Sequence, residues 1–210
     1  VLLREHGRRH HHPPQETIFE IADESDKVYL VEKGMIECRA VYDNGKEIIQ
    51  SIHGPGDMFG YPGVIDSQSR VCGAYTCEDT TLIHVEGDVF MKLLFENAEL
   101  NKFVVMHLAY HMRRLSIRLS NNVCLRPRDL VIRDLLQRYI DRPYDGPIKM
   151  PPRKLWALYL GMTRETLSRV MSDLLAEGLV SVANKNDIIL EDFDGLCESS
   201  EQDSSYFLGA

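Results

Sequence analysis

The 210-residue chain has no run approaching the ~18 consecutive apolar residues that a membrane-spanning helix requires. Its opening, Val1-Leu2-Leu3-Arg4-Glu5-His6, meets charge at once and is too short an apolar stretch for a signal peptide. Cysteines are few: five, an odd and scattered set that excludes a disulfide framework and points to a reducing, cytoplasmic setting. No phosphate-cradling Walker loop, dinucleotide fingerprint or nucleophile elbow occurs, and no internal repeat. An enzyme is therefore not expected. What remains is an ordinary globular composition, 44% hydrophobic and 27% charged, with length for one large domain or two small ones.

Positive charge is short overall but unevenly placed. The formal net charge is −8, yet residues 111–190 hold 14 Lys/Arg against 8 Asp/Glu. Residues 1–110 hold 10 against 18, and residues 191–210 none against 6. A basic segment between two acidic ones is the pattern of a DNA-binding module joined to another domain.

The first half reads as short strands. Thr17–Ile21, Val28–Val31, Met35–Val41, Glu47–Ile52 and Thr80–Val85 are rich in β-branched and aromatic residues. Turn residues separate them, among them Asn44-Gly45, a step suited to a tight hairpin. Strands at this spacing predict an antiparallel, jelly-roll-like β-roll. One long helix follows over 98–123, with Val105, Leu108, Met112, Leu115, Leu119 and Asn122 at spacings of 3, 4, 3, 4, 3. That is the seam of a coiled coil, although a helix packed on its own domain gives a similar stripe. Pro127 ends it by forcing Arg126 out of helical geometry.

The chain then turns helical again. Leu130, Leu135 and Leu136 mark one helix, and Asp145-Gly146-Pro147 breaks it. Pro151-Pro152 opens a helix over 153–160, Gly161 ends it, and Thr163 N-caps the next over 164–177. Residues 179–182 and 188–190 form a hairpin around Ala183–Asp187. Helix, tight turn, helix, hairpin is a winged helix-turn-helix. The whole is an α+β chain: β-roll, long helix, winged helix-turn-helix. In the capped helix, residues 167, 170, 171, 174 and 175 make an apolar face, while Arg164, Glu165, Ser168, Arg169 and Ser172 share the opposite one. A recognition helix reads bases with its first turns, and Arg, Glu and Ser have the donors and acceptors for it. A Glu165–Arg169 pair within the helix is the plainer alternative.

Three stretches carry a resemblance: Asp26-Lys27-Val28-Tyr29-Leu30-Val31-Glu32-Lys33-Gly34, Gly56-Asp57-Met58-Phe59-Gly60, and Arg164-Glu165-Thr166-Leu167-Ser168-Arg169. Over roughly residues 15–192 the chain resembles the cyclic-AMP receptor protein and fumarate–nitrate regulator (CRP/FNR) family. The first two stretches are generic to cyclic-nucleotide-binding-like rolls, and the third is specific. The resemblance implies a homodimer, joined through Val105, Leu108, Met112, Leu115 and Leu119, on a palindromic operator. It also implies that Glu165, Ser168 and Arg169 read bases around a TGA core. Thr163, Arg164 and Lys154 complete the DNA-contacting set, and RNA polymerase is a partner if the protein activates. The resulting division is an effector-sensing roll (1–97), a dimerisation helix and hinge (98–125), the DNA-binding domain (126–192) and an acidic tail (193–210).

The effector is not read so directly. Cyclic-AMP-binding relatives carry Gly-Glu, Arg-Ser and Thr-Ser pairs in the pocket. Here the corresponding pairs are Gly60-Tyr61, Arg70-Val71 and Arg118-Leu119, so the ribose-binding carboxylate is missing and cyclic AMP is not expected. Arg70 and Arg118 keep positive charge, which suits an unknown, anionic effector; Arg70 salt-bridged within the roll is the alternative. An iron–sulfur cluster is not expected, because residues 1–37 hold no Cys and Cys72-x4-Cys77 cannot supply four thiolates. Cys72, Cys77 and Cys124 read as inert thiols, with a redox switch as the other possibility. Haem stays open: His53 and His84 lie in the roll, and His107 and His111 stand four apart on the long helix. No metal site is expected, although His10-His11-His12 before Pro13-Pro14 has chelating groups; it reads as a flexible arm or a cloning remnant. A cupin-type metal enzyme would need a His-x-His pair and a later His within the roll, which His53 and His84 do not provide. A ligand-binding subunit acting on a protein partner is the remaining alternative, and the polar face of 164–169 argues against it.

Overall fold

The structure is a computed structural model that describes residues 2–42, 45, 47–141, 146–184 and 187–199, with backbone alone for 121–123. Two compact units are formed by residues 1–113 and 114–210. In the first unit a short helix α1 (Leu2–His6) precedes strands β1 (Arg8–His12), β2 (Thr17–Phe19), β3 (Lys27–Lys33), β4 (Ile36–Val41), β5 (Glu47–His53) and β6 (Met58–Phe59). Helix α2 (Tyr61–Asp66), strands β7 (Gly73–Thr76) and β8 (Thr80–Glu86) and helix α3 (Gly87–Glu96) follow, and α4 (Ala98–Cys124) begins here.

The strands pair antiparallel in two four-stranded sheets, β1-β8-β3-β6 and β2-β7-β4-β5. Alternation along β3 shows how both faces of the first sheet are used. Tyr29 and Val31 point into the space between the sheets with Phe19, Ile36, Cys38, Phe59, Ala74 and Leu82. Val28 and Leu30 point the other way, against Phe90 and Leu94 of α3 and Leu100 and Val104 of α4. The roll is thus filled inside and covered outside by the helices that lead out of it.

Two sequence expectations need correction. The residues read as a flexible arm, His10-His11-His12, belong to β1, which pairs with β8 in the register Arg8↔His84 to His12↔Thr80. The imidazoles of His10 and His12 stack on His84 (4.2 and 5.2 Å between centroids), and His12 Nε2 lies 3.1 Å from His84 Nε2. Arg and His have modest strand preference; the pairing comes from β8, whose edge β1 covers. The acidic composition suggests a loose tail from 197, but Phe193–Ser199 form helix α8, with Leu196 buried and Asp192 accepting from the Gly195 N–H at 2.8 Å. Residues 200–210 lie outside the described residues, as do Asp43, Asn44 and Lys46 of the expected hairpin, Asp145, and Lys185 and Asn186 of the wing. The side chain of Asn122, the last seam position, does too.

The second unit holds the end of α4, then α5 (Pro127–Asp141), β9 (Ile148–Lys149), α6 (Arg153–Tyr159), α7 (Arg164–Ala176), β10 (Val180–Asn184), β11 (Asp187–Leu190) and α8. β9 adds a third strand to the wing hairpin, in the order β10-β11-β9. One cluster joins Val131, Ile132, Leu135 and Leu136 of α5 to Trp156 of α6 and to Leu167, Met171 and Leu174 of α7. Asp134, buried among them, accepts from Trp156 Nε1 and from Arg138 Nε, both at 2.7 Å.

In the roll, His53 ends β5 buried, stacked on Phe59 and hydrogen-bonded through Nε2 to Ser51 Oγ at 2.8 Å. Burial, with His111 and His107 nearby, pushes its pKa down to about 3. An unfolded His titrates near 6.5, so between those values the unfolded chain binds a proton that the folded chain refuses. Stability attributable to His53 is therefore whole above pH ~6.5 and falls as pH drops, by about 2 kcal/mol at pH 5. Thermal melts from pH 7 to 5 are expected to show an acid loss that is shallower in His53→Gln; identical slopes would contradict this.

Candidate nucleic-acid interface and effector site

The turn between α6 and α7 is built from local chemistry. Gly161 takes φ 70°, a left-handed conformation that costs glycine little, and its N–H donates to Leu158 O at 3.1 Å. Thr163 is extended, and its Oγ accepts from the Thr166 N–H at 3.2 Å, capping α7. Leu167, Val170, Met171 and Leu174 turn inward, so Arg164, Glu165, Ser168, Arg169 and Ser172 are left exposed. The Glu165 carboxyl is held below its ordinary range by its own backbone N–H and by Thr163 at the helix N-terminus, so it stays an acceptor. Among the described residues no ion pair joins Glu165 to Arg169, and the alternative of an internal pair finds no contact.

Lys154 is exposed on α6. The sequence reading passed over its neighbour Arg153, a half-buried guanidinium pushed down by burial and by the charge of Arg164. The signal was present in Pro151-Pro152-Arg153-Lys154, where two cations open one helix. Arg153, Lys154 and Arg164 thus form a positive group at the start of the helix-turn-helix, suited to phosphate.

Along α4 the seam residues are exposed: Val105, Leu108, Met112, Leu115 and Leu119, with Met112 at 69%. Leu100 and Val104, one helical face away, are buried against the roll. The stripe is therefore not the one by which α4 packs on its own unit.

In the roll, Gly60, Tyr61 and Arg70 come together. Arg70 is only 6% exposed; its Nη1 donates to Gly60 O (2.5 Å), its Nη2 to Lys27 O (2.7 Å), and its guanidinium lies over the Phe19 ring. The expected alternative, a salt bridge, is absent among the described residues, and two carbonyls take its place. Gly60 needs its φ of 79° to present that carbonyl, and a Cβ there would lie 3.0 Å from Arg70 Nη1. Tyr61 is buried, its phenol is pushed up to about 12 by desolvation, and its hydroxyl hydrogen-bonds His107 Nδ1 at 2.9 Å. His107 Nε2 in turn lies 3.2 Å from His111 Nε2. Val71 is exposed at 72%, and Arg118, in the second unit, stacks on Tyr159 with 4.3 Å to the ring centroid. Among the described residues no group of three or more His, Cys, Asp or Glu has the arrangement of a metal site, and no helix is long and apolar enough to cross a membrane.

Comparison with known proteins agrees with this geometry. The family model of the cyclic nucleotide-binding domain matches residues 9–97, and that of the Crp-like helix-turn-helix domain matches residues 131–199. The chain is 27% identical over 179 residues to the cyclic AMP receptor protein of Thermus thermophilus, covering 85% of this chain and 82% of that relative. It is 22% identical over 182 residues to a CRP-like cAMP-activated global transcriptional regulator of Mycobacterium tuberculosis, covering 84% and 81%. In fold it is similar to FixK2 from Bradyrhizobium japonicum, with a TM-score of 0.84 at 21% identity over 94% of this chain and 99% of that one. A mutant of CooA from Carboxydothermus hydrogenoformans gives 0.78 at 21% identity, over 96% and 91%. These curated relatives are transcription regulators, not enzymes. A cyclic-nucleotide-binding-type roll followed by a Crp-like helix-turn-helix, in relatives matched over most of their length, places the chain in the CRP/FNR family of transcription regulators.

Proposed function

We propose that the protein is a homodimeric regulator whose two α7 helices read an inverted-repeat operator with TGA half-sites, under control of an anionic effector other than cyclic AMP. The observation that carries the DNA reading is the free polar face of α7 behind a capped N-terminus. Arg169 would bind guanine O6 and N7, Glu165 would accept from cytosine N4, and Ser168 would serve a base edge or phosphate. Thr163, Arg164, Lys154 and Arg153 would hold the backbone. The exposed seam of α4 supports the dimer, since an apolar stripe of this length is covered in solution. Where the regulator activates, RNA polymerase is its further partner.

The roll supports an effector different from the cyclic AMP named for several relatives. Tyr61 stands where the family resemblance implies the ribose-binding carboxylate, and its hydroxyl is already engaged with His107. An anion reaching Arg70 would take the guanidinium from the carbonyls of Gly60 and Lys27, and so act on the start of α2.

Titrations of operator duplexes test the reading of bases. Arg169→Ala is expected to lose about 1–3 kcal/mol of discrimination at one G·C pair of the TGA half-site; equal affinities of wild type and variant for every duplex would overturn the assignment. In sedimentation, Leu115→Glu with Leu119→Glu is expected to convert the dimer to monomer, and an unchanged dimer would place the interface elsewhere. A thermal-shift screen of organic anions is expected to find stabilisation of the roll that Arg70→Gln abolishes. No stabilisation by any anion, with DNA binding intact, would count against the anionic effector.

A further inference from the structure

Cys38 and Cys72 are distant in sequence and meet in the roll. In the pairing of β4 with β7, Cys38 lies opposite Ala74 and Arg39 opposite Gly73. Cys72, two residues before Ala74, falls on the same face as Cys38 and diagonally across the ladder. Both side chains belong to the cluster between the sheets, Cys38 buried within it and Cys72 at its margin. Register and shared cluster bring the two thiols to one place in the roll, and they are not joined as a disulfide.

Arg70 is the third member of this group. Its guanidinium is buried, forms no ion pair with a carboxylate among the described residues, and leaves Nε without a hydrogen-bond partner. Its charge acts on both sulfurs. The two thiols hold their protons unequally. The neighbouring Cys38 and the Arg70 charge lower Cys72 against its partial burial, whereas the neighbouring Cys72 and complete burial keep Cys38 well above its ordinary value. Cys77, the partner that sequence spacing suggests, is pushed up to about 12 by burial and by Glu37 and Glu78. A thiol lowered by a nearby cation, with a second thiol on the same face of the sheet, is the arrangement that reacts with peroxides.

We propose that Cys72 and Cys38 are a hydroperoxide-reactive pair, Cys72 attacking and Cys38 resolving. The Cys72 thiolate attacks one peroxide oxygen and the O–O bond breaks. Cys72 becomes a sulfenic acid, and the other oxygen leaves as an alcohol, or water from hydrogen peroxide, after taking a proton. The Cys38 thiol then attacks the Cys72 sulfur, the S–O bond breaks, water leaves and the disulfide forms. Two thiols have lost two electrons and the peroxide has gained them. The disulfide cannot ionise, so Arg70 loses a neighbour able to become an anion while still holding Gly60 O at the start of α2. Oxidation therefore acts on the same guanidinium as the effector, and the chemistry does not depend on the DNA reading.

The experiment treats the reduced full-length protein with hydrogen peroxide, blocks remaining thiols with N-ethylmaleimide and maps tryptic peptides by mass spectrometry. The expected product links Gly34–Arg39 to Val71–Lys92 and is reversed by dithiothreitol. Because Val71–Lys92 also contains Cys77, the link must persist in Cys77→Ser. In Cys38→Ser, Cys72 is expected to be trapped by dimedone as its sulfenic acid. Absence of the link in wild type under peroxide that oxidises the exposed Cys124, or its loss in Cys77→Ser, would overturn the proposal.

Discussion

The indole of Trp156 and the carboxylate of Asp134 fix the geometry on which the DNA-reading half depends. Trp156 Nε1 donates to Asp134 Oδ2 at 2.7 Å, and Arg138 Nε reaches the same oxygen. A buried carboxylate is tolerable only with such partners; the Arg138 bond lies within α5, so it is the Trp156 bond that ties α6 to α5. The apolar face of α7 closes on that pair through Leu167, Met171 and Leu174. Whatever polar residues α7 carries are then presented from a support that has little freedom to rotate. Base readout needs this rigidity, because bidentate contacts tolerate little misalignment.

In the roll the guiding constraint is a buried cation rather than a buried anion. Arg70 spends its outer nitrogens on two backbone carbonyls and its face on Phe19, and it faces two thiols. Elsewhere in the roll burial disfavours charge: Tyr61 keeps its proton, His53 sheds its own, and His107 is held below its ordinary value. A buried positive charge that forms no ion pair among the described residues is a site where a new negative charge has a large differential effect. An effector anion and a thiolate are two ways of supplying it, and either would bias an equilibrium of the roll.

Much of this was legible in the sequence because the signals are local. Gly161, Thr163 and the apolar positions of α7 each follow from neighbours within one or two turns, and the structure places that helix over 164–176. The strands rich in β-branched residues were visible for the same reason. Strand β1 was not, since Arg8-Arg9-His10-His11-His12 has nothing apolar to alternate and takes its conformation from β8. Helix α8 was hidden by its acidic residues, which outnumber the one buried leucine that docks it. Arg70 could be named as a cation, but its carbonyl partners at 27 and 60 come from tertiary contacts that spacing does not record. Cys38 and Cys72 were unpaired in the sequence for the same reason: only the β4–β7 register brings them to one face.

The central claim is that the exposed face of α7, presented twice by a dimer, selects a specific duplex. Selection of bound sequences from a randomised duplex pool at low salt, where phosphate contacts are strongest, tests it most directly. Enrichment of an inverted repeat of TGA half-sites, with centres about one helical turn apart, is the expected result. Enrichment of an unpaired motif, or of no sequence while the protein still binds duplex, would contradict it.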